Sequence, residues 1–483
     1  MTREELLDKL EEIQKMKCET QTLEIKAAAK GCPQRLYDTL SSFSNQDEGG
    51  IIIFGIDEND NYAECGVYDP QDIQKKINDQ CLQMEPVVRP LMTVAEKNGK
   101  FFVSAEIPGI DVTDRPCFYL GKGRLKGSHV RVGDSDEVMT EYEVYSYEVY
   151  RKKYQDDIRI VDRASFNVLD KKLLSGYIDN LKEKKPNLSD LDERTIYDLM
   201  SIAREGKVTL SALMLFCKYP QVFFPQLCVT AVALPGDEIG STGYYEERFL
   251  DNQRIEGNIP DMLDQAIAFV RKNIRNKTII DPRSGKRDDR YDYPLTAVRE
   301  AVINALIHRD YSIHTEGMPI QILIFPDRIE IKNPGGIYGR MRVDQLGKMQ
   351  PDTRNPVLVT ALEVMNITEN RYSGIPTIRR LMKDYDLPEP IFEDLRGTFT
   401  VIFYNSLRKE IGDPRNDLSD RERDLLQFLE TPRSRQEIAD FLEIRSVPYA
   451  IQAHITPLIR KGLVRMTVPG KPKSHSQRFV LVI

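Results

Sequence analysis

The sequence predicts a multidomain protein of mixed α/β (α+β) class. Three observations lead there. The chain has 483 residues, which at roughly 150 per domain suits about three domains. Its apolar fraction of 41% and charged fraction of 30% match a globular chain with a sizeable core. Apolar runs of strand character alternate with stretches of helical period along the chain.

The elements follow in order. Thr2 and Glu5 form a capping box, and Leu6, Leu7, Leu10, Ile13 and Met16 then recur at helical spacing. TLEIK (22–26) reads as a short strand, and a helix is expected near 34–45. GGIIIFGID (49–57) reads as a buried strand punctuated by glycine. KFFVSAEIP (100–108), PCFYL (116–120) and GSHVRVGD (127–134) are further strands, with a helix near 71–83 among them. These elements fill a first domain, 1–148. The stretch 149–285 turns mainly helical and charged, broken by the buried helix LSALMLF (210–216), the strand QLCVTAVAL (226–234) and the helix DMLDQAIAFVRKNI (261–274). The hydrophilic loop DPRSGKRDDRYDYP (281–294) marks the next boundary. Residues 286–410 return to α/β character, with the helix LTAVREAVINALIH, a hairpin of PIQILIF and RIEIKN about Pro326-Asp327, the helix IPTIRRLMKDY and the strand GTFTVIFY. A polar linker leads to a last module, 418–483, of three helices and a two-stranded hairpin, with Ser419 and Ser434 as caps.

Composition narrows the function classes. Lys plus Arg is 68 and Asp plus Glu is 75, a net charge of −7 that excludes a uniformly basic, histone-like binder. No run of about 18 apolar residues predicts a membrane span, and the charged N-terminus has no secretory h-region. Seven scattered cysteines without a CxxC pair exclude a zinc ribbon and suit a reducing, cytoplasmic setting. The acidic balance reverses locally: Arg445, Arg460, Lys461, Arg465, Lys471, Lys473 and Arg478 lie in 444–483, which has no Asp or Glu. A helix with a basic wing suits the DNA major groove and its phosphates, although Pro457 should kink the third helix.

Glu300, Asn304 and His308 stand at i, i+4 and i+8, one narrow stripe on the helix opposite Leu295, Val298, Val302 and Leu306. A carboxylate and an amide aligned in this way can hold a water and a magnesium ion against a triphosphate. REAVINALIHRDY (299–311), with RIEIKNPGGI (328–337) and NRYSGIPTIRR (370–380), resembles the N-box and glycine motifs of the GHKL ATPase superfamily, in the variant of RecG-like regulators. The resemblance implies a GHKL-like α/β sandwich that binds ATP and Mg²⁺. It casts Glu300 as the water-activating base and Asn304 as the magnesium ligand. His308, Asn333, Gly335, Gly336 and Gly374 would border the nucleotide. Asn333 stands where ATP-hydrolysing members have Asp, which predicts slow turnover.

CETQTLEIKAA (18–28), SSFSNQDEGGIIIFGIDE (41–58) and GSHVRVGDSD (127–136) resemble the Schlafen-type AlbA-like domain. In nuclease members three carboxylates bind Mn²⁺ or Mg²⁺, and Glu19, Glu24 and Asp57 occupy matching positions. Glu19 and Glu24 are five apart, so they converge only if the chain bends near Thr20-Gln21. Lys26, Arg124, Lys126 and Arg131 are the expected phosphate contacts. The last module is similar to the winged helix-turn-helix that closes RecG-like regulators. These resemblances imply a homo-oligomer, a dimer, that binds nucleic acid, DNA ahead of RNA. A metal-dependent ribonuclease gated by ATP is the alternative. A helicase motor is excluded because no GxxxxGK[ST] loop is present.

Overall fold

The computed structural model describes residues 1–243, 245–280, 287–368, 373–395, 397–405, 420–442, 444–460, 463–467 and 477–481. The chain divides into two compact units, Met1–Lys152 with Gly412–Ile483, and Lys153–Ile411. None of the described helices is long and apolar enough to cross a membrane.

The first unit is built on a four-stranded sheet in the order Leu23–Lys26, Gly50–Phe54, Lys100–Ile107, Leu91–Lys97. The first pair is parallel and the other two antiparallel. The continuous run Ile51–Phe54 needs apolar side chains on both faces because both faces are covered. Ile53 packs with Leu6, Leu10 and Ile13 of the N-terminal helix, Arg3–Met16, whose Thr2–Glu5 capping box forms as expected. Ile52 and Phe54 pack on the opposite face with Leu40 and Phe43 of helix Tyr37–Ser44 and with Ile73 and Ile77 of helix Pro70–Cys81. The strand Leu91–Lys97 is absent from the sequence reading. It is an edge strand with Ala95 as its one buried residue, so it lacks the alternation that marks a half-buried strand.

The C-terminal module belongs to the same unit. Helices Asp420–Phe428 and Arg435–Phe441 precede a third helical stretch covering Val447–Ala450, Ile451–Ile455 and Thr456–Arg460. Leu425, Leu429, Ile438, Leu458 and Phe479 form its core. The cap Ser434 is confirmed with Glu437, while Ser419 lies outside the described residues. The sheet has three strands, not two, because Arg433–Ser434 pairs with Arg478–Leu481, which pairs with Val464–Met466. The third helical stretch includes a π-helical turn over Ile451–Ile455, where the Thr456 N–H reaches the Ile451 carbonyl.

The second unit holds a six-stranded sheet. Its order is Asp251–Ile255, Val229–Ala233, Ile320–Ile324, Arg328–Pro334, Thr398–Tyr404, Ile391–Leu395, and its one parallel pair is Val229–Ala233 with Ile320–Ile324. The hairpin about Pro326-Asp327 is present as Ile320–Ile324 paired with Arg328–Pro334. The stretch 149–285 is therefore not a separate connecting region, because it supplies two strands to this sheet. One core runs from Val161 through Leu213 and Phe269 to Phe403. The boundary loop is likewise partly strand, with Asn276–Ile280 paired to Arg287–Tyr291. Helices Ile259–Asn273, Leu295–His308 and Gly374–Asp384 pack beside the sheet.

Asp157 ties the early part of this unit to the late part. Its fully buried carboxylate accepts from the N–H groups of Val357 (3.0 Å) and Leu358 (3.3 Å), in the first turn of helix Pro356–Val364. Those donors have no intrahelical partner. Asp157→Ala should therefore cost about 1–3 kcal/mol at pH 7, read by urea denaturation, and Asp157→Asn should keep most of the stability because its amide oxygen still accepts.

Candidate functional site

Two places draw together the residues singled out from sequence. In the first unit the chain does bend where it must. Thr20 and Leu23 exchange backbone hydrogen bonds of 3.2 and 3.4 Å, a tight turn that brings Glu19 back beside the strand. Glu19 Oε1 then accepts from Ile25 N at 2.8 Å, and both Glu19 and Glu24 face Arg131. Asp57 does not join them: its carboxylate accepts from Asn59 N at 3.0 Å and caps its own turn. Glu58 is the further carboxylate whose charge reaches Glu19 and Lys26.

Arg131 corrects the sequence reading. Expected as a phosphate contact, it has a side chain only 1% exposed. One terminal nitrogen lies 2.7 Å from Glu24 Oε2 and 3.9 Å from Glu19 Oε2, and the other 3.0 Å from Asp136 Oδ1. Its guanidinium also stands over the Phe43 ring, 5.2 Å from the centroid. Lys26 pairs with the other oxygen of Glu24. Positive charge is thus built into this site by Arg131 and Lys26. Among the described residues no group of three His, Cys, Asp or Glu is placed to hold a metal. A signal for Arg131 was present in the sequence: a two-residue Gly133-Asp134 turn makes a hairpin that sets Arg131 opposite Asp136, as observed.

The other expected phosphate contacts divide. Lys126 is exposed, while Arg124 is ion-paired to Glu148 and lies over the Phe118 ring. In the C-terminal module Arg465 is exposed. Arg478 is committed to structure, with Nη1 3.2 Å from Glu437 Oε2 and Nε donating to the Lys17 carbonyl at 3.2 Å. The Arg460 side chain, Lys461, Lys471 and Lys473 lie outside the described residues.

The second place is a cleft of 870 Å³ in the second unit. Glu300, Asn304, His308, Asn333, Gly335, Gly336 and Gly374 all line it. The stripe comes from helix Leu295–His308, whose opposite face is buried in the core. The floor carries Ile331 of strand Arg328–Pro334, and Phe399 and Val401 of strand Thr398–Tyr404. Helix Gly374–Asp384 closes one side. A Cβ on Gly374 would lie 2.5 Å from Glu300 Oε1 and 3.0 Å from Asn304 Nδ2, so any larger residue there would displace these two side chains. Asn304 Nδ2 lies 3.4 Å from Glu300 Oε1, which turns its amide oxygen away from that carboxylate. Gly335 has φ +106, a region natural to glycine, and a Cβ there would lie 2.7 Å from Asp310 Cβ. Asn333 is 4% exposed, and its Oδ1 has no hydrogen-bond partner among the described residues.

Arg354 was missed from sequence. It lines the cleft, pairs with buried Asp310 at 2.6 Å, donates to the Gly336 carbonyl at 3.2 Å and stands over the Tyr338 ring. It sits in a loop with no periodic signal, and only the fold carries it to the glycines. Burial, helped by the Arg354 charge, pushes His308 down to about 4, so the imidazole is neutral at physiological pH.

Comparisons with known proteins agree with this geometry part by part. Residues 19–140 match the family described as "Schlafen, AlbA_2". Residues 317–403 match "Putative ATP-dependent DNA helicase recG C-terminal", an HATPase-type family. Residues 420–482 match "Filamentation induced by cAMP protein Fic-like, C-terminal domain". The chain is thus a mixed α/β protein that carries a Schlafen AlbA_2 domain and a RecG-type, HATPase-like domain. It is a nucleic-acid-related protein with an ATPase-like domain. No curated protein matches it. Among solved structures, the DIP2311 protein from Corynebacterium diphtheriae is 16% identical, with 99% of this chain and 97% of that chain covered and a TM-score of 0.41. The N-terminal domain of a RecG-related protein from Nitrosomonas europaea is 25% identical, with 29% of this chain and 97% of that chain covered and a TM-score of 0.22.

Burial, then the charge of Glu24, raises Glu19 from 4.5 to about 8. A raised carboxyl favours the native state most when protonated. Its contribution is full below about pH 4.5 and is lost as pH rises through 8. Glu19→Gln keeps the acceptor for Ile25 N without that loss. The wild type should therefore lose stability relative to Glu19→Gln between pH 5 and pH 9, by at least about 1 kcal/mol or roughly 2–4 °C in melting temperature.

Proposed function

We propose that this protein is a nucleic-acid-binding regulator, transcriptional in role, whose central domain senses a purine nucleoside triphosphate. One observation carries the nucleotide reading: seven residues chosen from separate sequence segments line a single cleft. The cleft suits the ligand chemically. Its floor of Ile331, Phe399 and Val401 offers an apolar bed for a base, and the orphaned amide of Asn333 offers a hydrogen-bonding edge. Ser373 makes no side-chain cap on helix Gly374–Asp384, so the N–H groups of Gly374 and Ile375 would meet phosphate oxygens, while Pro376 has none to offer. Asn304 would hold Mg²⁺ through its amide oxygen, and Glu300 would orient a water and accept its proton. The bound Mg²⁺–triphosphate supplies the scissile phosphoanhydride, and turnover is slow because the neutral Asn333 replaces a carboxylate.

For nucleic acid, the reading rests on the AlbA_2 domain and on the C-terminal module. The order helix, short strand, two helices, two strands in that module supports the winged-helix reading. Arg465 stands exposed on strand Val464–Met466, and Lys471 and Lys473 follow it in the sequence. Duplex DNA is the partner this chemistry fits best. The nuclease alternative loses ground because Arg131 stands with Glu19 and Glu24, and Asp57 turns away. Seven free cysteines fit a cytoplasmic protein. Nucleotide occupancy would bias the arrangement of the nucleic-acid-binding parts, or of two copies in a dimer.

Two experiments test these readings. Calorimetry of the full chain with ATP and Mg²⁺ should give a binding heat that Asn304→Ala abolishes; silence at millimolar ATP would overturn nucleotide sensing. Replacing Arg465, Lys471 and Lys473 with Ala should weaken duplex-DNA binding by about tenfold or more at low salt and lower the slope of log K against log salt by up to about 3. An unchanged affinity and slope would remove the DNA role of this module.

A further inference from the structure

Asn333 is one of the buried polar groups lining the cleft that lack a hydrogen-bond partner among the described residues, and it is the one set on the apolar floor. Asn333 lies on strand Arg328–Pro334 in register with Phe399, so its side chain stands beside the apolar floor. It is 4% exposed, and its Oδ1 has no hydrogen-bond partner among the described residues. A buried amide left in that state is costly unless a ligand completes it. Among the described residues nothing meets its Oδ1, so a ligand that completes it must match an amide.

An amide differs from a carboxylate in one decisive way. A carboxylate only accepts, whereas an amide accepts through oxygen and donates through nitrogen, and a turn about its last bond exchanges the two. The edge of a purine presents its six-position as an amine in one series and as a carbonyl in the other. An acceptor-only side chain would meet the carbonyl with a lone-pair clash. Asn333 can meet either one with a hydrogen bond.

The geometry points to a purine nucleotide site that accepts 6-amino and 6-oxo bases alike, with Asn333 as the residue that sets this tolerance. The inference deepens the nucleotide reading above and rests on it. It makes the cleft a sensor of the purine triphosphate pool and not of ATP alone. The surroundings agree with a neutral edge. His308 is uncharged at physiological pH, and the charge of Arg354 is met by Asp310 at 2.6 Å.

The test is competition calorimetry on the full chain with Mg²⁺, comparing ATP with inosine triphosphate, which turns the six-amine into a carbonyl, carries a proton on N1 and adds no 2-amino group. The wild type should bind the two within about threefold of each other. Asn333→Asp should keep ATP within about threefold and lose inosine triphosphate by at least tenfold, because two acceptors then face each other. A wild-type preference of tenfold or more for ATP would overturn the inference while leaving nucleotide binding intact. Equal weakening of both ligands in Asn333→Asp, in a variant whose melting temperature is unchanged, would also overturn it. Failure of both ligands to bind the wild type would instead overturn the nucleotide reading itself. The wild-type ratio alone decides the matter if the variant does not fold.

Discussion

The close approach of two helices at Gly374 sets the shape of the central cleft. Helix Leu295–His308 buries its apolar face in the core, and this leaves the Glu300–Asn304 stripe facing outward. Helix Gly374–Asp384 then comes so near that a single methyl on Gly374 would lie 2.5 Å from the Glu300 carboxylate. Two polar side chains are thereby pinned between a helix terminus and an apolar floor. The opposite wall depends on Arg354, which joins Asp310 to the glycine turn through the Gly336 carbonyl. Polar groups held this way need little reorganisation to meet a charged ligand.

A different electrostatic solution operates in the first unit. Glu24 and Asp136 are brought to Arg131, with Glu19 close by, and their mutual repulsion is offset by one guanidinium almost wholly out of water. Buried ion pairs add little net stability relative to well-packed apolar groups, yet losing one partner is severe because the others are left unpaired. This cluster therefore acts as a constraint more than a source of stability. It locks the Thr20–Leu23 turn, the Leu23–Lys26 strand and the His129–Val138 hairpin together, because Arg131 also donates to the Thr20 and Leu23 carbonyls.

The same residue types thus carry different meanings in the two units. In the cleft, among the described residues, the Asn333 amide oxygen is unmatched and Ser373 does not cap its helix, the two features on which the nucleotide proposal draws. Around Arg131 the matching is already internal, and the site's chemistry is that of a structural clamp. Basic residues follow the same division. Arg131 and Arg478 are consumed by carboxylates and carbonyls within the fold, while Lys126 and Arg465 stand exposed.

The sequence by itself determined many of the local elements and seven of the residues that line the cleft. Helical period placed Glu300, Asn304 and His308 on one stripe, capping chemistry placed the starts of helices Arg3–Met16 and Arg435–Phe441, and glycine marked the turns of the cleft. These signals are legible because they repeat within a few residues. What only the tertiary structure decided depends on groups distant in the chain. The strands Val229–Ala233 and Asp251–Ile255 join a sheet whose other members begin at Ile320, so the stretch 149–285 has no domain of its own. Arg354 reaches the cleft from a loop without pattern, and Arg131 turns inward where an alternating strand could equally have faced water. Asp57 caps its own turn at Asn59 N, and among the described residues no three carboxylates are placed to hold a metal. In each case a charged or polar side chain had more than one local partner available. The choice was made by which partner the packed core left within hydrogen-bonding distance, and that information is not local to any stretch of the chain.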